Sequence, residues 1–521
     1  MFYSVEFLIF YLPLIFLGFL IIKKIFPSLI PYYFLGLLYV SLYLIDLVSF
    51  VLVFITSTIN YLIVRKIHKT KNSKILIFIG IVFSLLPLII FKFGHGFFDR
   101  ESLETSVLFT YGIPIGLSFY SLQQITAIID SRNASLSILS YSRHLLYLGF
   151  FPNFIAGPIF TYRNAVEQIS SLGFKKIPNY WIATGILLFL TGLLKKLWIA
   201  NPLGGIINQM VFNIKNLDSS ITIFDGWFII WGFLVQLYFD FSAYSDIAIG
   251  LALCFGILLP VNFDSPLKSY STQEYISRWH ISFTSFVREY FFIPTLSLLK
   301  KLPIKDMEKK MILSWAIGLF LSYIIIGIWH APNLIIMGTT TLVIIILFLL
   351  KLPTFLFTDN ISKDKNSKNY LNRIVILMFS MLMAISLKVQ DIDSLFKIYL
   401  SIIDFKSISL PLSLQEILPN FIKEEFSFNG FLPLLNGYKY GNYIFSNTSS
   451  YIFILIVATF IIFLSPNTMD IFGIKNFKKR KKVFFMKGFL FYLLCTLFLF
   501  NILFLLLLES SYAQTFIYER Y

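Results

Sequence analysis

Cysteine, histidine and charge are all scarce in this chain. Of its 521 residues two are Cys, five are His, and 13% are charged. Cys254 and Cys495 lie far apart in apolar runs, with no C-x-x-C pair and no second ligand at metal spacing. That excludes a disulfide framework or a zinc cluster as the organising device, and both thiols read as small buried hydrophobes. No Gly-x-Ser-x-Gly elbow, Walker loop or H-E-x-x-H helix occurs, which sets aside ordinary hydrolases, ATP-driven pumps and zincins. The N-terminal stretch Met1 to Glu6 has no basic residue, and no small-residue cleavage site is evident. The apolar run behind it ends at Lys23 and Lys24, so it is expected to be a retained membrane helix with its N-terminus outside. Acids number 27 against 43 bases, for a net charge of +16. This excess does not mark a nucleic-acid binder, because the bases punctuate apolar runs instead of forming one face of a soluble fold. With no internal repeat or low-complexity tract, residues 1–521 are read as one integral domain.

What the chain has in abundance is apolar surface. It is 57% hydrophobic and 18% aromatic, with a mean hydropathy of +0.78. Soluble domains carry roughly 25% charged residues, so the expected class is an all-α, polytopic integral membrane protein. A crossing needs about 20 apolar residues. Spans are therefore expected near 5–22, 31–45, 47–64, 75–92, 107–129, 181–199, 223–253, 311–330, 334–350, 371–389, 450–465 and 485–508, within a range of 11–13 membrane helices. Asp46 divides the 31–64 run as a hairpin turn. One alternating path puts Lys23 and Lys24, the Arg65 to Lys74 cluster, Lys300 to Lys310, Lys363 to Arg373 and Lys475 to Lys482 on the cytoplasmic side, as the positive-inside rule requires. It leaves 391–449 as an extracytoplasmic loop. Residues 144–163 hold Pro152, Gly157 and Pro158, and fit either a re-entrant element or an interfacial loop.

Two Trp-His segments stand out against this background. Ser271 to Glu274 has capping-box spacing, and Ile276, Trp279, His280, Phe283, Phe286, Val287 and Tyr290 follow at intervals of three and four. One amphipathic helix ending at Pro294 is expected there. Lys268, Arg278 and Arg288 then have two readings: snorkelling cations at the interface, or a basic mouth for the phosphates of an acyl carrier. The second segment, Gly327 to Asn333, ends an apolar run. Pro332 disfavours helix at Ala331, so a break is expected just after His330. Broken backbone at membrane depth needs protein or a cavity around it, and a membrane histidine usually faces a cavity or partner. His330 thus reads as either a catalytic base or a donor to a neighbouring helix. Trp329 and Asn333 are its candidate companions. Asp240 and Tyr244 share a helical face while Asp246 points elsewhere, suiting interhelical hydrogen bonds or a polar tunnel lining. His68 is expected in a solvated basic loop, His95 in an exposed Gly-His-Gly turn, and His144 is left open.

These same residues carry a resemblance. Asp240 to Gly250, Arg278 to Phe283 and Gly327 to His330, with Gly116 to Gln124, Ala156 to Ile159 and Leu194 to Ala200, resemble the membrane-bound O-acyltransferase (MBOAT) family. The similarity is densest over about 112–335 and is greatest to its bacterial branch of alginate O-acetylation, peptidoglycan O-acetylation and D-alanyl transfer proteins. It implies the MBOAT fold, with membrane and interfacial helices around a central tunnel, and His330 as the catalytic residue with His280 as a second functional histidine. It also implies acetyl-CoA, an acyl carrier protein or another acyl thioester as co-substrate, with no bound cofactor. The expected acceptor is a cell-wall or exopolysaccharide glycan, reached directly or through an extracytoplasmic SGNH-type transferase, from a multi-pass position in the cytoplasmic membrane. Two local departures are Thr295 to Lys301, where the branch has a Gly-Gly-rich basic turn, and Ala331-Pro332-Asn333, where it has Gly-Ala-Asn. A transporter for a lipid-linked sugar is the alternative from another class.

Overall fold

The computed structural model describes residues 6–70, 73–97, 113–216, 221–301, 303–330, 370–389, 391–405 and 448–474, plus isolated positions at 335, 338–339, 341–342, 345 and 419–420. At 94–97, 216, 328, 330 and 448–450 the main chain alone is described. The imidazole of His330, Asn333, Cys495, the spans expected at 334–350 and 485–508, and most of the 391–449 loop therefore lie outside the described residues.

The described chain is helical. Eight of its helices are long and apolar enough to cross a membrane, and Tyr451–Leu464 is a shorter apolar one. The first four follow the expected pattern: α1 (Phe7–Ile25), α2 (Ile30–Ile45), α3 (Leu47–Lys69) and α4 (Lys74–Phe97). Asp46 makes the α2–α3 turn in extended backbone, its carboxylate accepting from Val48 N and Ser49 N, the ordinary aspartate N-cap. Residues 94–96 continue α4 instead of forming a turn, so the His95 main chain is helical.

The expected 107–129 span is not one helix. Gly116, at φ 74°, precedes α5, which runs only from Leu117 to Asp130. A Cβ at Gly116 would lie 2.8 Å from Phe154 O, so a close backbone approach sets the start. Residues 141–170 form three short helices, α6 (Tyr141–Leu148), α7 (Phe151–Phe154) and α8 (Tyr162–Ser170). Their intervening backbone is buried in protein, with Phe150, Ala156, Ile159 and Phe160 each 1–2% exposed. The broken backbone here is thus covered by protein, the condition that a re-entrant element requires.

The 181–199 span also needs correcting. Helix α9 runs on for 37 residues, Asn179–Lys215. The expected span ends at 199, just beyond Lys195 and Lys196. A π-turn at Lys195–Ala200 lets the helix continue past them. Both lysines are neutralised by α10, Ile223–Cys254, all of it within the protein interior. At 1.5 Å per residue α10 is about 48 Å long, and its two halves belong to two apolar cores. Phe228 to Phe241 pack with the later helices, and Tyr244 to Phe255 with the N-terminal ones. Helices α9 and α10 cross tightly on small residues. A Cβ at Gly185 would meet Gly250 O at 2.6 Å, and one at Gly192 would meet Ala243 O at 2.7 Å.

Beyond α10 come α11 (Thr272–Arg278), α12 (Ile281–Val287) and α13 (Ile293–Leu299). These are followed by α14 (Met307–His330), α15 (Tyr370–Lys388), α16 (Ile392–Ser401) and α17 (Thr448–Leu464).

Candidate active site

The segment from Asn262 to Pro294 is where sequence and structure differ most usefully. Ser271 caps α11 as expected, accepting from Glu274 N at 3.2 Å. The single amphipathic helix is then broken. Trp279 is extended, and His280 has left-handed backbone, φ 46° and ψ 51°. Left-handed backbone costs a non-glycine residue about 1–3 kcal/mol and persists where surroundings dictate it. Those surroundings are the Asn262–Asp264 strand of backbone: Asp264 N donates to Arg278 O at 3.0 Å and Ile281 N to Asn262 O at 2.8 Å. Pro294 does not stop the helix either. It falls in the first turn of α13, after a π-turn at Arg288–Phe292, where no N–H is required.

The break turns His280 inward, 3% exposed. Its Nδ1 lies 2.9 Å from Asn262 Oδ1, and Asn262 Nδ2 donates to Ser245 Oγ at 3.0 Å. The ring packs edge-on to Phe241 and stacks on Phe283 with centroids 5.0 Å apart. Phe283 stacks in turn on Trp329 at 4.6 Å. The two Trp-His segments, 50 positions apart from Trp279 to Trp329, are thus joined by rings; Trp329 also has the ammonium of Lys92, on α4, over its face at 5.4 Å, and Lys92 donates to the Trp329 carbonyl. His330, the next residue, is helical in its main chain and is the last described position of α14.

A cavity of about 380 Å³ opens beside this arrangement, lined by Trp279, His280, Phe283, Arg288, Tyr323 and Ser380 among others. Its walls are mostly apolar with few polar groups, as small-molecule sites generally are. Among the sequence candidates, Trp279, His280 and Arg288 line it and Asp240, Tyr244, Arg278 and Trp329 do not. Asp240 pairs with Lys196 at 2.5 Å, both 2% exposed. Tyr244 OH accepts from Ala156 N at 3.3 Å, and Asp246 takes Lys195 at 2.7 Å and Thr468 at 3.2 Å. All three thus bond to elements packed against α10. The Trp329 indole donates to Ser118 O at 3.2 Å.

The expected basic mouth is divided. Arg278 pairs with Glu274 at 2.7 Å and Lys268 donates to Ser465 O at 2.5 Å. Burial, then the nearby Arg373, holds the Lys268 ammonium below the usual lysine range. Arg288 stands apart, beside Glu289, which also pairs with Arg163. His68 is half-buried with its Nδ1 3.2 Å from Ser131 O, so it is engaged and not solvated. His144 is fully buried, its Nε2 3.0 Å from Asn60 Oδ1. Asn262, Ser245, Lys92 and the two α9 lysines escaped the sequence reading. Isolated polar residues in apolar runs were the available signal for them.

The fold and site define a polytopic helical membrane protein with a partly open, mostly apolar cavity that His280 lines. The chain belongs to the MBOAT, membrane-bound O-acyltransferase, family, whose model matches residues 33–389. It is similar to the peptidoglycan O-acetyltransferase of Helicobacter pylori, 30% identical over 361 residues, covering 62% of this chain and 65% of that protein. It is similar also to the probable alginate O-acetylase AlgI of Pseudomonas syringae pv. tomato, 30% identical over 302 residues, 55% of this chain and 54% of that one. The teichoic acid D-alanyltransferase of Bacillus subtilis is 29% identical over 227 residues, 43% of this chain and 56% of its own. The chain thus spans about half to two thirds of the length of these relatives.

Proposed function

We propose that this protein is an acyltransferase of the cytoplasmic membrane. It moves an acyl group, in the simplest case acetyl, from a cytoplasmic thioester such as acetyl-CoA or an acyl carrier protein. The acceptor is a hydroxyl of an extracytoplasmic cell-wall or exopolysaccharide glycan, reached directly or through an SGNH-type transferase partner. The observation that carries this reading is the Phe283 ring stacked on both His280 and Trp329. It ties the Asn262–Pro294 segment, which follows α10, to Trp329 of α14 beside the cavity, an arrangement that suits a donor and an acceptor approaching from different faces. An alcohol is a poor nucleophile at neutral pH. An imidazole with an ordinary pKa near 6.5 suits removal of its proton, and such a base contributes about a hundred- to ten-thousand-fold. His330 is assigned that role. The oxyanion formed on the thioester carbonyl needs a donor. With the Trp329 indole bonded to Ser118 O, Asn333 is the side chain assigned to it.

Replacing His330 with Ala or Gln should abolish glycan O-acylation at unchanged protein abundance. Retained acylation in either variant removes His330 from the mechanism. The similarity to the B. subtilis protein favours a second acyl group, D-alanine on teichoic acid. Mass analysis of wall and capsule glycans with and without the protein separates acetyl from alanyl esters.

A further inference from the structure

We infer that Asn262 is a positioning residue that locks His280 as the Nδ1–H tautomer, with Nε2 as the acceptor nitrogen of the ring. The catalytic consequence rests on the acyl-transfer reading above, whereas the tautomer follows from the hydrogen bonds alone.

The two ends of an amide can be told apart only by their partners, and here the partners leave one solution. Ser282 N lies 3.3 Å from the Asn262 side-chain atom that faces His280. A backbone N–H only donates, so that atom is the oxygen. Ser282 Oγ accepts from Ile159 N at 3.0 Å and sends its own proton to the same oxygen at 2.9 Å. At the other end, Ser245 Oγ donates to Phe241 O at 3.0 Å. It therefore accepts from Asn262 Nδ2 at 3.0 Å. The amide is pinned from both sides, and the whole network is buried: Asn262 is 0% and His280 3% exposed. An oxygen facing Nδ1 at 2.9 Å requires that Nδ1 carry the hydrogen. A neutral imidazole has one donor and one acceptor nitrogen, so Nε2 is the acceptor. His280 lines the cavity and its left-handed backbone, held by the Ile281 N to Asn262 O bond, keeps the ring there. Asn262 thus fixes both the backbone and the proton of one histidine.

The ionisable groups that line the cavity with His280 are Tyr275 and Arg288 from its own segment and Tyr323 of α14. From α10 come Tyr238, packed on Trp279 and Phe263, and Asp246, already held by Lys195. Asp264 follows Asn262 by two positions.

The test uses the full-length protein in lipid discs, with acetyl-CoA turnover read as free thiol release. In a ¹⁵N spectrum of histidine-labelled protein, with H280Q identifying the resonances, the wild type should show His280 protonated at Nδ1 and not at Nε2. Asn262→Leu should scramble the tautomer and lower turnover about ten- to a hundredfold, the usual effect of losing an imidazole-orienting partner. Asn262→Asp places a carboxylate against the ring and favours the imidazolium. Protonation removes the acceptor, so the acid limb of the pH profile should move to higher pH, which a merely structural residue would not cause. Ser245→Ala, which frees the amide to turn, should reproduce the Leu effect more weakly and serves if Asn262→Leu does not fold. A wild-type spectrum with Nε2 protonated overturns the inference, as does an unmoved acid limb in Asn262→Asp. A wild type that releases no thiol defeats the acyl-transfer reading, while the spectrum still decides the tautomer.

Discussion

Lys196 and Asp240 are each 2% exposed and face one another inside the bundle at 2.5 Å. Removing one member of such a pair strands the other charge, at a cost of about 3–5 kcal/mol, whereas replacing both with apolar residues of similar size is often neutral. Lys196→Met should therefore lower the thermal midpoint of the purified protein sharply, and Lys196→Met with Asp240→Leu should recover most of the loss. A double variant no more stable than the single one would mean that the pair does more than compensate charge. Asp240 was legible in the sequence as a buried acid in need of a partner. Its partner was not, because the pairing of residues 44 positions apart depends on how α9 lies against α10.

At the scale of elements, hydrophobic periodicity marked most helices to within a few residues and failed at the Gly116 turn, the Lys195–Ala200 π-turn, the Trp279–His280 break and Pro294. The π-turn at Lys195–Ala200 and the break at Trp279–His280 leave no trace in the period. The first depends on lysines being neutralised from α10 and the second on backbone bonds from Asn262. Pro294 looked like a terminus because its position within the next helical turn was invisible. The α9–α10 crossing brings its own prediction. Gly185 and Gly250 pack backbone to backbone, as small residues permit in membrane bundles. Gly250→Val should cost about 1–3 kcal/mol by overpacking, seen as a lower thermal midpoint. An unchanged midpoint would show that the seam can open without loss.

At the scale of the molecule, the contacts agree with one alternating path. Lys23 reaches Lys175 O, His68 reaches Ser131 O and Lys268 reaches Ser465 O, all at the lysine-rich end. Lys92 meets Trp329 and Lys388 meets Asn208 towards the other. In a background lacking Cys254 and Cys495, an impermeant maleimide should spare cysteines at Lys24 and Lys175 in intact cells and label one at Lys215. The reverse pattern would invert the orientation and place the thioester donor on the wrong side for His330.

Composition and periodicity alone were enough to establish an all-helical membrane protein, the Asp46 turn and the two Trp-His segments, because burial in lipid constrains every residue of a span in the same way. The motifs along those spans were enough to indicate the family. The tertiary structure decided which polar groups bind helices together and which reach the cavity. Asp240 and Tyr244 went to packing, and His280 went to the cavity through a strained backbone. Those choices depend on distances between residues far apart in the chain, and a hydrogen bond or ion pair exists only once both partners have been brought within about 3 Å.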